Sequence, residues 1–385
     1  MLHLLLSGLA APLAYRQGEA PHEQQELQPQ PPSHARHRDV VRSFEERLQS
    51  RPKSDAPFTI LTWGDSTMAR MTNDHLFGSM TRVLEDVQTF PSCSNLSPGV
   101  CQKQKDAGIP VLPTFTLQAR VPGMCEDLEV EIHTGVRRDA GQSFNVTVIN
   151  CRCLKTALDL TLAAQTIQSL ANPPYNAPTP DLIVANPSGL HHLHREDSRV
   201  FDETKHLVGS IDGYKEHVRS GMQSLGAAFP DADLRLFSTH TVRNEASMDH
   251  LKMRADACES GESNEKCYAC YDDVQVCLSG KCYDGERQSA RQYVADYGGE
   301  VPDCALPVKA DQLFWRQSLF SRAGSDTLAE AELDVLGEPQ FAGKWRLVNA
   351  HNITDLKGKC GDFTEDGMHY SNEIEADEAI EVLHA

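Results

Sequence analysis

The chain has no apolar run approaching 18 residues, so nothing in it reads as a helix that crosses a bilayer. It also lacks positive charge: 36 Lys and Arg stand against 55 Asp and Glu, a formal balance of −19. Such a surface repels phosphate backbones and anionic headgroups, which argues against nucleic acid and acidic membranes as partners. A neutral or cationic substrate stays open. Aromatic residues make up only 6 % of the chain and no amphipathic lid is visible, which counts against a lipase-like enzyme. No internal repeat is visible.

What is present is an ordinary globular composition, long enough at 385 residues for one large domain or two smaller ones. Met1 to Ala14 reads as a short apolar stretch followed by small residues, with only His3 where a basic start is usual. Residues 1–15 are therefore expected to be a secretory signal peptide. Residues 16–54 are rich in Gln, Pro, His and Glu, a composition expected of a disordered linker. One domain is expected over 55–385. Twelve cysteines and three glycosylation sequons, at Asn95, Asn145 and Asn352, point to the secretory pathway, in the Golgi lumen or outside the cell. Six of the cysteines, Cys258, Cys267, Cys270, Cys277, Cys282 and Cys304, fall in a stretch of about 256–306 read as a disulfide-rich insertion. The rival reading is a zinc site at Cys267-x-x-Cys270 with Cys277 and Cys282, whose spacing is wrong for a ribbon.

From Phe58 the pattern alternates between strand and helix. Short apolar runs at 58–63, 144–149, 181–185, 234–238 and 345–350 read as buried strands. Helical patterns follow at 154–170, 211–229 and 374–383, and one comes directly after the first strand. This alternation predicts an α/β fold, three layers with a central parallel sheet. The stretch 92–136 is read as a long excursion from it.

Three motifs sit where strands end. Gly64-Asp65-Ser66 follows the first strand and opens a helix, which exposes a serine at the sheet's carboxyl edge beside helix amides. Read blandly, it is a helix cap. Asp366-x-x-His369 is the only such pair in the chain and precedes the last helix. It offers the serine a base, and the base a carboxylate. Asn186-Pro-Ser-Gly189 follows the third strand, and a side-chain amide there can donate to an oxyanion. His191, His192 and His194 lie just beyond without a carboxylate or cysteine complement, so they read as loop histidines rather than a metal site.

In that order, these motifs resemble the SGNH/GDSL hydrolase superfamily. Gly64 to Thr67, Asn186 to His191 and Asp366 to Tyr370 are most similar to its PC-esterase branch of glycan O-acyltransferase-like proteins. The resemblance spans about 58–383. It implies Ser66 as nucleophile, His369 as base and Asp366 as its orienter, with no cofactor and no metal. It further implies an oxyanion hole from the Ser66 amide with Asn186 and Gly189, and substrate contacts from His191 and Arg70. Two departures stand out: the second strand ends in Asn150-Cys-Arg-Cys153 rather than a glycine, and Arg70 falls four residues after the serine instead of three. The implied activity is acyl transfer to, or hydrolysis from, a carbohydrate O-acyl group, above all O-acetyl. A general carboxylesterase and a non-catalytic binding module of the same fold are the alternatives.

Overall fold

The computed structural model describes residues 34–51, 56–92, 98–108, 111–113, 115–118, 124–139, 142–154, 156–193, 208, 210–242, 274–275, 287–288, 322–357, 370 and 372–384. The expected signal peptide at 1–15 lies outside them. So does the cysteine-rich insertion, apart from a two-residue pairing of β8 (Val274–Gln275) with β9 (Arg287–Gln288).

The expected α/β sheet is there. Among the described residues, five strands run parallel in the order β5 (Gln142–Arg152), β1 (Phe58–Gly64), β6 (Leu182–Ala185), β7 (Asp233–Phe237) and β10 (Trp345–Val348). All seven residues of β1 are buried, as a central parallel strand covered on both faces requires. The chain leaves β1 towards β5 on one side, then crosses back to β6 on the other. β1 is therefore the strand where the winding direction reverses.

Successive side chains of each strand feed two separate cores. On one face Phe58, Ile60, Val148, Leu182, Val184 and Phe237 pack under α1 (His34–Ser50), α2 (Ser66–Arg70), α3 (Gly78–Met80) and the final helix, α10 (Asn372–Leu383). On the other, Leu61, Trp63, Ile149, Ile183 and Leu236 pack under α5 (Ala163–Leu170), α7 (Ile211–Ala228) and α8 (Arg322–Leu336). α2 and α3 are joined by a π-helical turn, Met71–Phe77, so residues 66–80 form one continuous helical stretch.

Three expectations need correction. The sheet is mixed: β4 (Asp127–Asp139) and β2 (Glu85–Pro91) extend it antiparallel beyond β5, and β3 (Phe115–Thr116) pairs with β4. The end of 92–136, read as an excursion, is thus sheet, and α4 (Pro98–Asp106) lies within the same stretch. The linker expected at 16–54 is overturned for 34–50. There α1 presents Val40, Phe44 and Leu48, one stripe at intervals of four, to the core. Arg36, Arg47 and Arg51 tie α1 and its end to Asp377, Asp233 and Asp181. Finally, the helix expected from Leu154 begins only after Asp159, whose carboxylate caps the Thr161 amide and hydroxyl.

Candidate active site

Ser66 is the first residue of α2, at the carboxyl end of β1, and is partly exposed between buried neighbours. Asp65 supplies the N-cap: its buried carboxylate accepts from the Thr67 amide at 3.0 Å and the Thr67 hydroxyl at 2.6 Å. The bland reading of this motif, a helix cap, is therefore correct for Asp65, and it leaves Ser66 at the positive end of the helix. Gly64 is demanded by crowding. A Cβ there would lie 2.8 Å from Met68 Cβ and 3.0 Å from Asn186 Cβ.

Asn186 reaches this point from the adjacent strand. It follows β6, is buried, and donates its backbone N–H to the Trp63 carbonyl at 2.8 Å. On the other flank Cys153, just past β5, donates its N–H to the Gly64 carbonyl at 3.1 Å. The end of β1 is thus gripped from both sides. The Asn186 side-chain oxygen accepts from the Ser188 amide, and Ser188 sits in the left-handed region at φ 59°. That bond fixes which way the amide turns and leaves Nδ2 as an unused donor among the described residues.

Gly189 opens α6 (Gly189–Leu193), and what the structure shows of it is close packing. A Cβ would fall 1.8 Å from Thr239 Oγ1 and 3.0 Å from the Tyr214 hydroxyl. His191 is half-buried two residues on, its amide bonded to Ser188 O. His192 is fully buried edge-on to Tyr214, with ring centroids 4.8 Å apart, and His194 lies outside the described residues. Arg70 is engaged elsewhere: its Nε meets Glu375 Oε1 on α10 at 3.1 Å. The other oxygen of Glu375 meets buried His75 Nε2 at 3.0 Å.

Asp366 and His369 lie outside the described residues, but both flanks of their loop are placed. Tyr370 is fully buried, donates its hydroxyl to the Thr241 carbonyl, and stands edge-on to His240 at 5.3 Å. Thr241 lies beyond the carboxyl end of β7, two strands from β1. After residue 371, α10 runs back against the helical stretch that Ser66 opens, through Glu375.

The tail of β7, Ser238 to Val242, is fully buried without being strand, and each residue is held by a different partner. The Ser238 hydroxyl accepts from the His351 amide on α9 (Ala350–Lys357) at 3.0 Å. Thr239 is bonded to Glu332 on α8. His240 Nε2 meets Glu378 on α10 at 2.8 Å. Thr241 N–H donates to Thr354, and Val242 N–H to Ser325. Burial pushes the carboxyls of Glu332 and Glu378 up and the Tyr214 phenol well up. Away from this tail, burial lowers His217, beside Asp159, to about 4.

Sequence reasoning singled out Ser66 and Asn186 but not the buried polar residues around this edge: Glu332, Tyr214, Glu375, Glu378 and His240. A glutamate within an amphipathic helix carries no mark of burial, so no local signal could have found them. Among the described residues no group of three or more His, Cys, Asp or Glu is placed to hold a metal ion.

No protein-family model and no curated protein matches the chain. Among solved structures, a chain described as "Peptidoglycan O-acetylesterase in action, 5 min" is similar to 90 % of this chain over 93 % of its own. The identity is 10 % and the TM-score 0.34, a likeness too loose to bear on the site.

Proposed function

We propose that this chain is a serine-dependent acyl-ester enzyme that takes a carbohydrate O-acyl group, above all O-acetyl, onto Ser66. The observation that carries the reading is the meeting of Ser66 and Asn186 at the carboxyl ends of adjacent parallel strands. They are held together by the Asn186 N–H to Trp63 bond and by the contact only a glycine at 64 allows. Open α/β folds bind ligands at that edge, where the winding reverses.

His369 takes the Ser66 hydroxyl proton as Oγ bonds to the acyl carbon, and the charge collects on the former carbonyl oxygen. The Ser66 amide and Asn186 Nδ2 donate to that oxygen. On collapse the alkoxide leaves with the proton from His369, and the acyl group rests on serine. Water or a second sugar hydroxyl then repeats the steps in reverse. Asp366 holds the imidazole tautomer. Support for the triad comes from Tyr370, one residue from His369 and anchored at the same sheet edge, because adjacent Cα atoms lie only about 3.8 Å apart.

A sugar substrate is favoured by the flank on β5 and β4. There Arg152, opposite Gly64, is paired with Glu129 at 3.1 Å and Glu131 at 3.2 Å, and Asn73 bonds Glu131. A charged edge suits hydroxyls better than an acyl chain. A secretory location is supported by the Cys125–Cys153 disulfide and by exposed sequon residues Asn145 and Asn352.

The test is a serine-directed fluorophosphonate together with turnover of an acetylated glycan. Wild type should label and turn over; Ser66→Ala should do neither while keeping its fold. Equal labelling of both proteins defeats the reading. Release of acetate from the acyl-enzyme, timed with water alone and then with a bare glycan, separates hydrolysis from transfer.

A further inference from the structure

The acyl-enzyme reading leaves a fully buried carboxylate with no part in the chemistry. Glu332 projects from α8 into the space beneath the Asn186–Gly189 turn. It accepts three hydrogen bonds: the Thr239 amide at 2.8 Å, the Thr239 hydroxyl at 2.6 Å and the Tyr214 hydroxyl at 2.6 Å. The hydroxyls of Thr239 and Tyr214 are the atoms pressed against Gly189. Thr239 also lies in the tail of β7, whose next two residues carry Tyr370, through its ring contact with His240 and its bond to the Thr241 carbonyl. One side chain therefore fixes the seat of the Asn186–Gly189 turn and the seat of Tyr370 together.

We propose that Glu332 is the positioning residue of this site, setting Asn186 and the Tyr370 anchor in register through Thr239 and Tyr214. The proposal rests on the acyl-enzyme reading, because register matters only if the loops beside them share a substrate. Glu332 touches no substrate. It acts because an unfilled acceptor site would leave the fixed Thr239 N–H buried without a partner, and the tail would shift to satisfy it. A displacement of about 1 Å at a reacting group costs about a hundredfold in rate.

The geometry also says which substitution is tolerated. In Glu332→Gln the amide oxygen can take the Thr239 N–H, while the NH2 donates to two hydroxyls that are free to rotate. In Glu332→Leu all three donors lose their acceptor.

The experiment compares Glu332→Gln, Glu332→Leu and Val335→Ala, the last a buried residue of the same helix that serves as a packing control. Glu332→Leu should lower kcat about a hundredfold with KM nearly unchanged, and should slow fluorophosphonate labelling of Ser66 to match. Glu332→Gln should stay close to wild type, and Val335→Ala should lower Tm but not kcat. Hydrogen exchange gives a readout independent of activity: protection of the Ser188, Thr239 and Thr241 amides should fall in Glu332→Leu alone. If Glu332→Leu does not fold, Tyr214→Phe and Thr239→Val each remove one donor and should show the same kcat loss on a smaller scale. Equal damage from the Gln and Leu variants, or a kcat loss in Val335→Ala matching that of Glu332→Leu, overturns the proposal. Turnover that survives Ser66→Ala while protection still falls in Glu332→Leu would remove the acyl-Ser66 reading and leave the structural seat intact.

Discussion

The two loops at the carboxyl edge of the sheet are built in opposite ways. The turn from β1 into α2 is local: Asp65 caps Thr67 two residues on, and Ala69 N–H returns to the Asp65 carbonyl at 3.0 Å. The tail of β7 has almost no local bonding. Its partners lie 93 residues away in Glu332, 113 in Thr354 and 129 in Tyr370. Ser66 is presented by a turn that forms on its own, whereas Tyr370, arriving from the far end of the chain, needs a seat assembled from many elements. The first is a matter of backbone geometry; the second exists only once the fold is complete.

The contrast can be broken at several points. Removing Glu378 should have the largest effect, since it leaves buried His240 without this carboxylate. Glu378→Ala is expected to lose about 3–5 kcal/mol in denaturant unfolding. A loss below about 1 kcal/mol would mean the tail is not held as described. Gly189→Ala should cost about 2–3 kcal/mol, because its methyl would overlap Thr239 Oγ1, and adding Thr239→Ala should restore part of it. Strict additivity of the two changes would deny the contact.

Acid stability comes next. His217 and His133 titrate at about 4 in the folded protein, both lowered by burial, whereas their ordinary value is 6.5. Between those limits the unfolded chain binds a proton at each site that the folded one refuses. Stability therefore falls as pH drops from 6.5 to 4, by about 1.4 kcal/mol per pH unit for each histidine. Glu332 and Glu378, raised by burial, act in the opposite sense, so the check is a difference: His217→Gln should have the shallower slope over that window. An unchanged slope would refute it. The smallest effect belongs to the local turn, where Asp65→Ala should cost about 1 kcal/mol, the loss of one cap. A cost equal to that of Glu378→Ala would erase the distinction between the loops.

The five parallel strands were legible because a doubly covered strand must be largely apolar, as Leu182 to Ala185 is throughout and Phe58 to Trp63 is but for Thr59 and Thr62. Gly64-Asp65-Ser66 was legible for the same reason that its turn is local. In β4, Leu128, Val130 and Ile132 alternate with Glu129, Glu131 and His133, a plain strand signal overshadowed by the cysteines and prolines before it. β2 carries no such signal, since as the outermost strand it is exposed or half-buried throughout. α1 was lost by averaging its stripe with the Pro- and Gln-rich stretch ahead of it. Glu332, Glu375 and His240 were illegible in principle: burial of a polar side chain is decided by partners far away in sequence.

The wide π turn at Met71–Phe77 gives the helical stretch that Ser66 opens two independent angular settings. Within it Thr72 bonds Thr62 on β1, Asn73 reaches Glu131 on β4 and accepts from Asn150 on β5, and His75 turns to Glu375 on α10. An α-helix advances about 100° per residue, so one residue more in a turn rotates all that follows by about that angle. The front of the stretch can thus be phased to aim Ser66 at the sheet edge while the rear is phased to dock Ser79 on His37 of α1 at 2.6 Å. Losing a single residue between 71 and 77 would merge the two phases, and the helix could then satisfy its anchor or its serine, but not both.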